Sequence, residues 1–552
     1  MTHQNASRYL RLFDRTCRDN ADAPAFKNSA GESATYGEID RAAHVIDQTL
    51  ASLLDEGLIP EDRVLPVLGD KSPAMAAAFL ACIRRGIGYA PLSAVMPDDR
   101  ISAILEQLKS PVLLTTAPVS DTVASAAERV IPLDWNDLVS APLPPRPDSN
   151  DESESGIAGE DTHYIIFTSG STGDPKGVEI SAACVDNFLD WTTVLPLGDH
   201  PRVFLNQAPF SFDLSVYELA TAFPHGDSIY ALTKETQLNL SAIIEALRES
   251  DATVWVSTPS FANMCLSASA FGDELMPNLR TFLFCGEPLK VDTVRKLSER
   301  FPNARILNTY GPTESTVAVT SVEVDANAQL PHGLLSCGMP KPGTELVICE
   351  PGTDLAMPQG TQGEIVIVGN TVAKGYYRMP DKTEEAFFTR ELSAEAKARA
   401  AAANVEATSP ARAYHTGDLG FLDEDGMLYC LGRIDNQIKL NGYRIEIEDI
   451  EENLCKTASV DAAAVVPVRK DGSVSHLSAY VVPSERARSI HAEGKQPDEW
   501  TRGERLAFGK QVKEELGKLV PAYMIPRKIA PVVSLPMTQN GKIDRKKLAK
   551  DE

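Results

Sequence analysis

Cysteine pairs are missing from this 552-residue chain: its nine cysteines stand singly, with no C-x-x-C spacing. That spacing gives no zinc site and no disulfide framework, and it suits a reducing compartment. Positive charge is also short. Lys and Arg number 53 against 77 Asp and Glu, a net charge of −24, and such a field repels the backbone of nucleic acids. Long hydrophobic runs are absent too. The longest, residues 75–83, ends at Arg84-Arg85, far short of the ~20 residues that a membrane helix needs. The first twenty residues, Met1 to Asn20, are polar and lack the apolar core of a signal peptide. There is no internal repeat. These absences point to a cytoplasmic globular protein, long enough for a large core and a smaller companion.

What is present reads as alternating strands and helices. Residues 74–83 predict a buried helix, with Ser72 as N-cap and Pro73 at the first helical position. Residues 112–115 predict a strand. Residues 141–160 mix proline, serine and acids and read as an exposed linker. Apolar strands are expected at 164–167, 202–207, 253–257 and 281–285, then at 346–349 and 364–368 in a region richer in turns. Strands alternating with helices imply an α/β fold of layered, mostly parallel sheets. The alanine-rich stretch 391–412 reads as a surface helix, and 484–504 as a polar excursion without periodicity. From residue 445 the pattern becomes a small α+β unit: helix at 445–455, strand at 462–468, final helix near 507–519.

One loop carries chemistry. Thr168-Ser169-Gly170-Ser171-Thr172-Gly173-Asp174-Pro175-Lys176-Gly177 follows an apolar strand and combines glycines, hydroxyls and one lysine. Glycines let backbone N–H groups approach an anion, and the hydroxyls and Lys176 add donors and charge, so the loop is built for phosphates. Its spacing is neither that of the Walker loop nor that of the dinucleotide fingerprint.

This loop resembles the signature of the adenylate-forming (AMP-binding) ligases, which use ATP to activate a carboxylate. Six further segments match that family in its order, from Tyr89-Ala90-Pro91-Leu92 to Gly541-Lys542-Ile543-Asp544-Arg545. The resemblance implies a large N-terminal adenylation core (1–434), with a β-rich subdomain, and a small mobile α+β C-terminal domain (435–552) hinged at Asp435. It implies ATP and Mg²⁺ as cofactors. Thr168 to Gly173 and Lys176 would hold phosphates. In Asn308-Thr309-Tyr310-Gly311-Pro312-Thr313-Glu314, Tyr310 would stack on adenine, Asn308 would bond its edge, Thr313 would belong to the ATP site and Glu314 would ligate Mg²⁺. Asp418 and Arg433 would bind the ribose. Lys542 would bridge the substrate carboxylate and α-phosphate during adenylation. The family usually has arginine before the Thr416-Gly417-Asp418 run, whereas this chain has His415.

The same resemblance narrows the substrate. In the amino-acid branch an aspartate at the position of Asp213 receives the α-ammonium, and the alternative for Asp213, which precedes Leu-Ser-Val-Tyr, is a helix N-cap. Leu283, Cys285, Thr309, Val317 and Ala318 would line the side-chain pocket, with Tyr217 at its floor, leaving room for a small uncharged side chain. Asn206 to Ser215, Phe284-Cys285-Gly286-Glu287 and Pro521-Ala522-Tyr523-Met524-Ile525-Pro526 resemble the D-alanine–D-alanyl carrier protein ligase group, in which a cysteine at the position of Cys285 favours a D-substrate. Ser93, where the family often has aspartate, and the 391–412 insertion depart from it. Stand-alone enzymes for L-alanine, glycine, L-serine or L-proline share the scaffold, and acyl-CoA ligases are a further alternative. No carrier segment follows Lys542, so the expected acceptor is the phosphopantetheine thiol of a separate carrier protein. The basic tail from residue 521 is expected to help dock an acidic carrier.

Overall fold

The computed structural model describes residues 6–142, 156–169, 175–327, 330, 332–435, 437–440, 443–470, 473–537 and 543–549. Gly170, Ser171, Thr172, Gly173 and Lys542, with most of the expected linker at 141–160, lie outside the described residues.

Two large sheets form the centre. One has seven strands, in the order Gly375–Tyr376, Lys176–Ser181, Thr162–Thr168, Gly88–Ser93, Val64–Gly69, Val112–Thr115 and Arg129–Pro132. The strands Thr162–Thr168 and Lys176–Ser181 are antiparallel, with Thr168 opposite Lys176. The other sheet has nine strands. Arg305–Tyr310, Thr281–Phe284, Val254–Ser257, Val203–Asn206, Ser228–Ala231 and Pro24–Asn28 run parallel in that order, and antiparallel strands close both edges. In such a sheet ligands bind beyond the carboxyl ends of the strands. Beyond these ends come residues 207–213, Thr258, Cys285-Gly286 and Gly311 to Glu314.

Between the sheets lies the helix Pro73–Arg84, buried at every position but its last. Ser72 caps it, accepting from the N–H of Met75, and Pro73 opens it, as the sequence predicts. Its run of alanines presents little bulk, so the helix Tyr36–Asp55 packs closely on it, and Arg84 turns back to Asp14 and Asp40.

A five-stranded antiparallel sheet built from Thr344–Cys349, Gly363–Gly369, Ala411–Leu422, Phe387–Arg390 and Leu428–Arg433 forms the β-rich part. The expected surface helix is present as Ala394–Ala402; it buries Ala396 and Ala400, and Ala396 joins the cluster of Val366, Val368 and Ala413. From residue 438 come the hairpin Ile438–Leu440/Tyr443–Ile445 and a three-stranded sheet of Val460–Lys470, Ser473–Pro483 and Lys528–Pro531, packed with the helices Ile447–Lys456 and Arg502–Leu516 around its own core.

Two expectations need correction. Residues 484–504 contain the helix Glu485–Ala492, capped by Ser484 and burying only Ala487 and Ala492, a face too narrow to give the sequence a clear period. The helix expected near 507–519 is Arg502–Leu516, started five residues earlier by a Thr501–Glu504 capping box, and the short helix Arg545–Leu548 follows it.

Candidate active site

Two adjoining cavities lie where the strand ends of the nine-stranded sheet meet the hairpin 438–445. The larger, about 900 Å³, is lined by Gly286, Glu287, Asn308, Tyr310, Asp418 and Arg433, among others. The smaller, about 90 Å³, is lined by Thr168, Ser169, Asp213, Cys285, Thr313 and Val317, with Lys439, Tyr443 and Arg444 closing it. Asp418, Arg433 and Lys439 border both.

Sheet register builds the polar centre of the larger cavity. Asp418 stands opposite Arg433 on paired strands. Its Oδ2 accepts from the Tyr310 hydroxyl at 2.7 Å and its Oδ1 from Arg433 Nη1 at 3.2 Å. Arg433 also donates to the Thr416 carbonyl at 2.5 Å and through Nε to Asp435 Oδ1 at 2.9 Å. Burial opposes its charge, but Asp435 and Asp418 hold the guanidinium firmly protonated. Gly417 between them has φ +67°, and a Cβ there would lie 2.6 Å from Arg433 Nη2. Asn308 donates to the Ser336 carbonyl at 2.7 Å, which fixes the plane of its amide beside the cavity.

Thr309, one of the expected pocket residues, borders the larger cavity instead, accepting from the Tyr217 hydroxyl at 3.1 Å and donating to the Phe284 carbonyl at 2.8 Å. Tyr217, Leu283 and Ala318 are fully buried and stand behind the wall, where they set its position without lining either cavity. Asp213, Cys285 and Val317 do face the smaller cavity.

Asp213 opens the 3-10 turn Asp213–Ser215, and neither that turn nor the following helix Val216–His225 has a side-chain N-cap bond, so the capping alternative does not hold. Burial pushes its carboxyl above the ordinary range, with the charge of Glu314 adding, against a hydrogen bond from Thr313 and the charges of Lys439 and Arg444. Cys285 Sγ lies 3.7 Å from the Val317 carbonyl, and burial pushes its thiol up. Thr316 and Val317 both have positive φ, +60° and +68°, which is rare for β-branched residues. The Thr316 hydroxyl, donating to the Thr371 carbonyl at 2.8 Å, holds this bend.

Glu314 follows Thr313 of the smaller cavity but lines neither cavity, and it is fully buried. Its Oε1 accepts from the Tyr376 hydroxyl at 2.9 Å, and its Oε2 from Arg444 Nη1 at 2.7 Å. Burial alone would raise its pKa, but Arg444 and Tyr376 outweigh that and hold it below the ordinary value. Lys176 places its Nζ 5.6 Å from the Tyr376 ring centre, and burial lowers its pKa. Ser169 reaches the C-terminal unit: its hydroxyl donates to the Arg444 carbonyl at 3.1 Å and accepts from the Glu446 N–H at 3.2 Å. Thus Thr168, Ser169, Lys176 and Glu314 come together on one side, and Asn308, Tyr310, Asp418, Arg433 and Asp435 on the other.

Sequence reasoning did not single out Arg444, Tyr376 or Lys439. Arg444 sits in a Gly-Tyr-Arg-Ile-Glu run, where a cation among apolar residues is a weak signal; Tyr376 carries none. His415 lines neither cavity; it stacks on Phe388 and bonds Asp354 at 2.9 Å and Glu364 at 3.3 Å.

Residues 13–377 match the AMP-binding enzyme family, and residues 449–542 match the AMP-binding enzyme C-terminal domain. The chain is 40% identical over 537 residues to the D-alanine–D-alanyl carrier protein ligase of Bacillus licheniformis, covering 96% of each chain. It is 40% identical over 541 residues to the ligase of the same name from Bacillus cereus, covering 98% of each. In fold it is similar to the Vibrio cholerae adenylation domain AlmE in complex with glycyl-adenosine-5'-phosphate (TM-score 0.73, 21% identity, 98% of this chain and 97% of that one). It is also similar to o-succinylbenzoate CoA synthetase of Bacillus subtilis (TM-score 0.76, 19% identity, 100% and 99%). Strand ends that gather a buried aspartate–arginine pair beside two cavities, with Thr168 and Ser169 in the lining, agree with these matches: this chain belongs to the AMP-binding enzyme family and is an AMP-forming ligase.

Proposed function

We propose that the chain activates D-alanine with ATP as D-alanyl-AMP and transfers it to the phosphopantetheine thiol of a separate carrier protein. The observation that carries this reading is the 90 Å³ cavity holding Asp213 beside Cys285 and Val317, next to the larger nucleotide-type cavity. A ligand ammonium is the cation that Asp213 lacks, and the volume admits only a small side chain. The names of the Bacillus relatives support D-alanine and a carrier as substrates.

Asp418 and Arg433 would hold the ribose, Tyr310 and Asn308 the adenine, and the loop Thr168 to Lys176 the phosphates. Lys542 would enter to bridge carboxylate and α-phosphate, where charge builds as the carboxylate attacks phosphorus and pyrophosphate leaves. The C-terminal unit, 435–552, would turn about Asp435 between this step and thioester formation. Glu314 would ligate magnesium, a hard cation suited to a carboxylate with substrate phosphates and water, once Arg444 no longer occupies its Oε2. Bound there, the ion would offset phosphate charge. Catalysis otherwise rests on positioning, with Asp213 orienting the amine.

ATP–pyrophosphate exchange with D-alanine, L-alanine, glycine, L-serine and L-proline tests this reading. D-alanine is expected to support the fastest exchange, with Cys285→Ala eroding the D/L preference. Faster exchange with an L-amino acid would keep the mechanism and reject the substrate.

A further inference from the structure

The segment 207–215, between the strand Val203–Asn206 and the helix Val216–His225, carries Asp213 and much of the wall of the smaller cavity. Three polar or charged side chains that line neither cavity stand at its two ends. Asn206 closes the strand, Glu218 lies in the first turn of the helix, and Lys71 comes in from the turn after the strand Val64–Gly69. Asn206 and Glu218 are fully buried, and Lys71 is 3% exposed. Burying groups of this kind is costly unless hydrogen bonds satisfy them.

The Lys71 ammonium donates to the carbonyls of Gln207 at 2.9 Å and Asn206 at 3.4 Å, at the start of the segment. Asn206 Nδ2 donates to Glu218 Oε1 at 3.0 Å and joins the two ends. The other two oxygens of that pair, Asn206 Oδ1 and Glu218 Oε2, are buried and have no donor among the described residues. A carboxylate cannot supply one, whereas a carboxylic acid can. One proton on Glu218 Oε2, donated to Asn206 Oδ1, satisfies both oxygens and closes a two-bond ring between amide and acid. Burial pushes the Glu218 carboxyl up to about 8, against its own backbone N–H, the Asn206 bond and the charge of Lys71. Burial also pushes the Lys71 ammonium down to about 8, with Asp70 and Glu218 opposing. Tyr217, next to Glu218 on the helix, feels its charge, and burial holds that phenol well above the ordinary value.

We propose that Glu218 is a protonated acid paired with the Asn206 amide, and that this pair and Lys71 are positioning residues that hold Asp213 at the smaller cavity. This rests on the reading of Asp213 as the partner of the substrate ammonium. The three side chains act by tying the ends of one segment together, so their loss is felt at the amino acid and not at the nucleotide.

The test is ATP–pyrophosphate exchange in the full-length enzyme, with KM read separately for D-alanine and for ATP. Glu218→Gln places an N–H donor where the acid has its O–H, so its KM for D-alanine at neutral pH should stay within about twofold of wild type. Glu218→Ala and Lys71→Met should each raise that KM about tenfold, the size of one lost hydrogen bond, and leave the KM for ATP unchanged. Equal rises for both substrates, or a Glu218→Gln as impaired as Glu218→Ala, overturn the proposal. If Glu218→Ala does not fold, Lys71→Met and Glu218→Gln carry the same comparison. In wild type the KM for D-alanine should climb more steeply above pH 8 than in Glu218→Gln, because loss of the proton sets two acceptors against each other. The substrate's own ammonium titrates alike in both proteins, so parallel profiles overturn the proposal. Asp213→Asn separates this inference from the substrate reading. If it leaves the KM for D-alanine unaltered, Asp213 does not receive the ammonium and both fall; if it raises that KM while Lys71→Met does not, only the positioning cluster is wrong.

Discussion

Asp418 and Glu314 are both carboxylates buried at the same site, yet they acquire their partners in opposite ways. Asp418 is served by Arg433, directly across a strand pair, and by Tyr310 at a neighbouring strand end. Once the sheets form, that triad has no alternative geometry. Glu314 receives one partner from Tyr376 within the large unit and the other from Arg444 in the C-terminal unit. The first subsite is preorganised, and the second is completed only when two separately packed cores meet. A residue set by register can serve throughout a reaction. One supplied by docking is present only while the two units are in contact.

The sharpest way to break the contrast is Asp418→Ala. It leaves the Tyr310 hydroxyl without its acceptor and takes from Arg433 one of its two carboxylates, a loss of about 1–3 kcal/mol. The kcat/KM for ATP in pyrophosphate exchange should fall on the order of 100-fold, with a lower melting temperature. A loss under fivefold would show that the triad does not hold the nucleotide.

The docked side is probed through Asp449. Burial pushes its carboxyl up to about 6, opposed by Arg100 and Lys456 and reinforced by Glu446 and Glu452. The folded chain therefore holds this proton more tightly than the unfolded one. The resulting stability is complete below the ordinary carboxylate pKa of 3.8 and is lost as pH rises through about 6. Asp449→Asn keeps the Asn453 contact at its Oδ1 position while discarding the titration. It should gain ~1–3 kcal/mol on wild type between pH 4 and 6, then level off, as read by denaturant unfolding at each pH. A constant difference across that range would locate the titration elsewhere.

The smallest effect belongs to a site remote from both subsites. Ser72→Ala removes the cap of the helix Pro73–Arg84 and should cost about 1 kcal/mol of stability with pyrophosphate exchange unchanged.

Elements governed by short-range chemistry were legible before any fold was known. Ser72, Pro73 and the apolar run after them specify a capped, buried helix, and residues 112–115 are a strand in both readings. The phosphate-type loop, the Tyr310 segment and the aspartate of Asp418 announce themselves by residue type at fixed spacing. Less legible were elements whose buried face is narrow, such as Glu485–Ala492, and helix starts set by a capping box, as at Thr501.

By itself the sequence determined the layered α/β class, the family resemblance and nearly every residue type at the site, because glycine spacing, capping and apolar periodicity act over a few residues. Only the tertiary structure decided which of those residues face a cavity. Cys285 and Val317 do, while Leu283, Ala318 and Tyr217 stand behind them, since strand register and the positive-φ bend at Thr316-Val317 set the wall. It alone joined Arg444 to Glu314, because a contact spanning 130 residues depends on how two cores dock, and no local pattern in the chain encodes that docking.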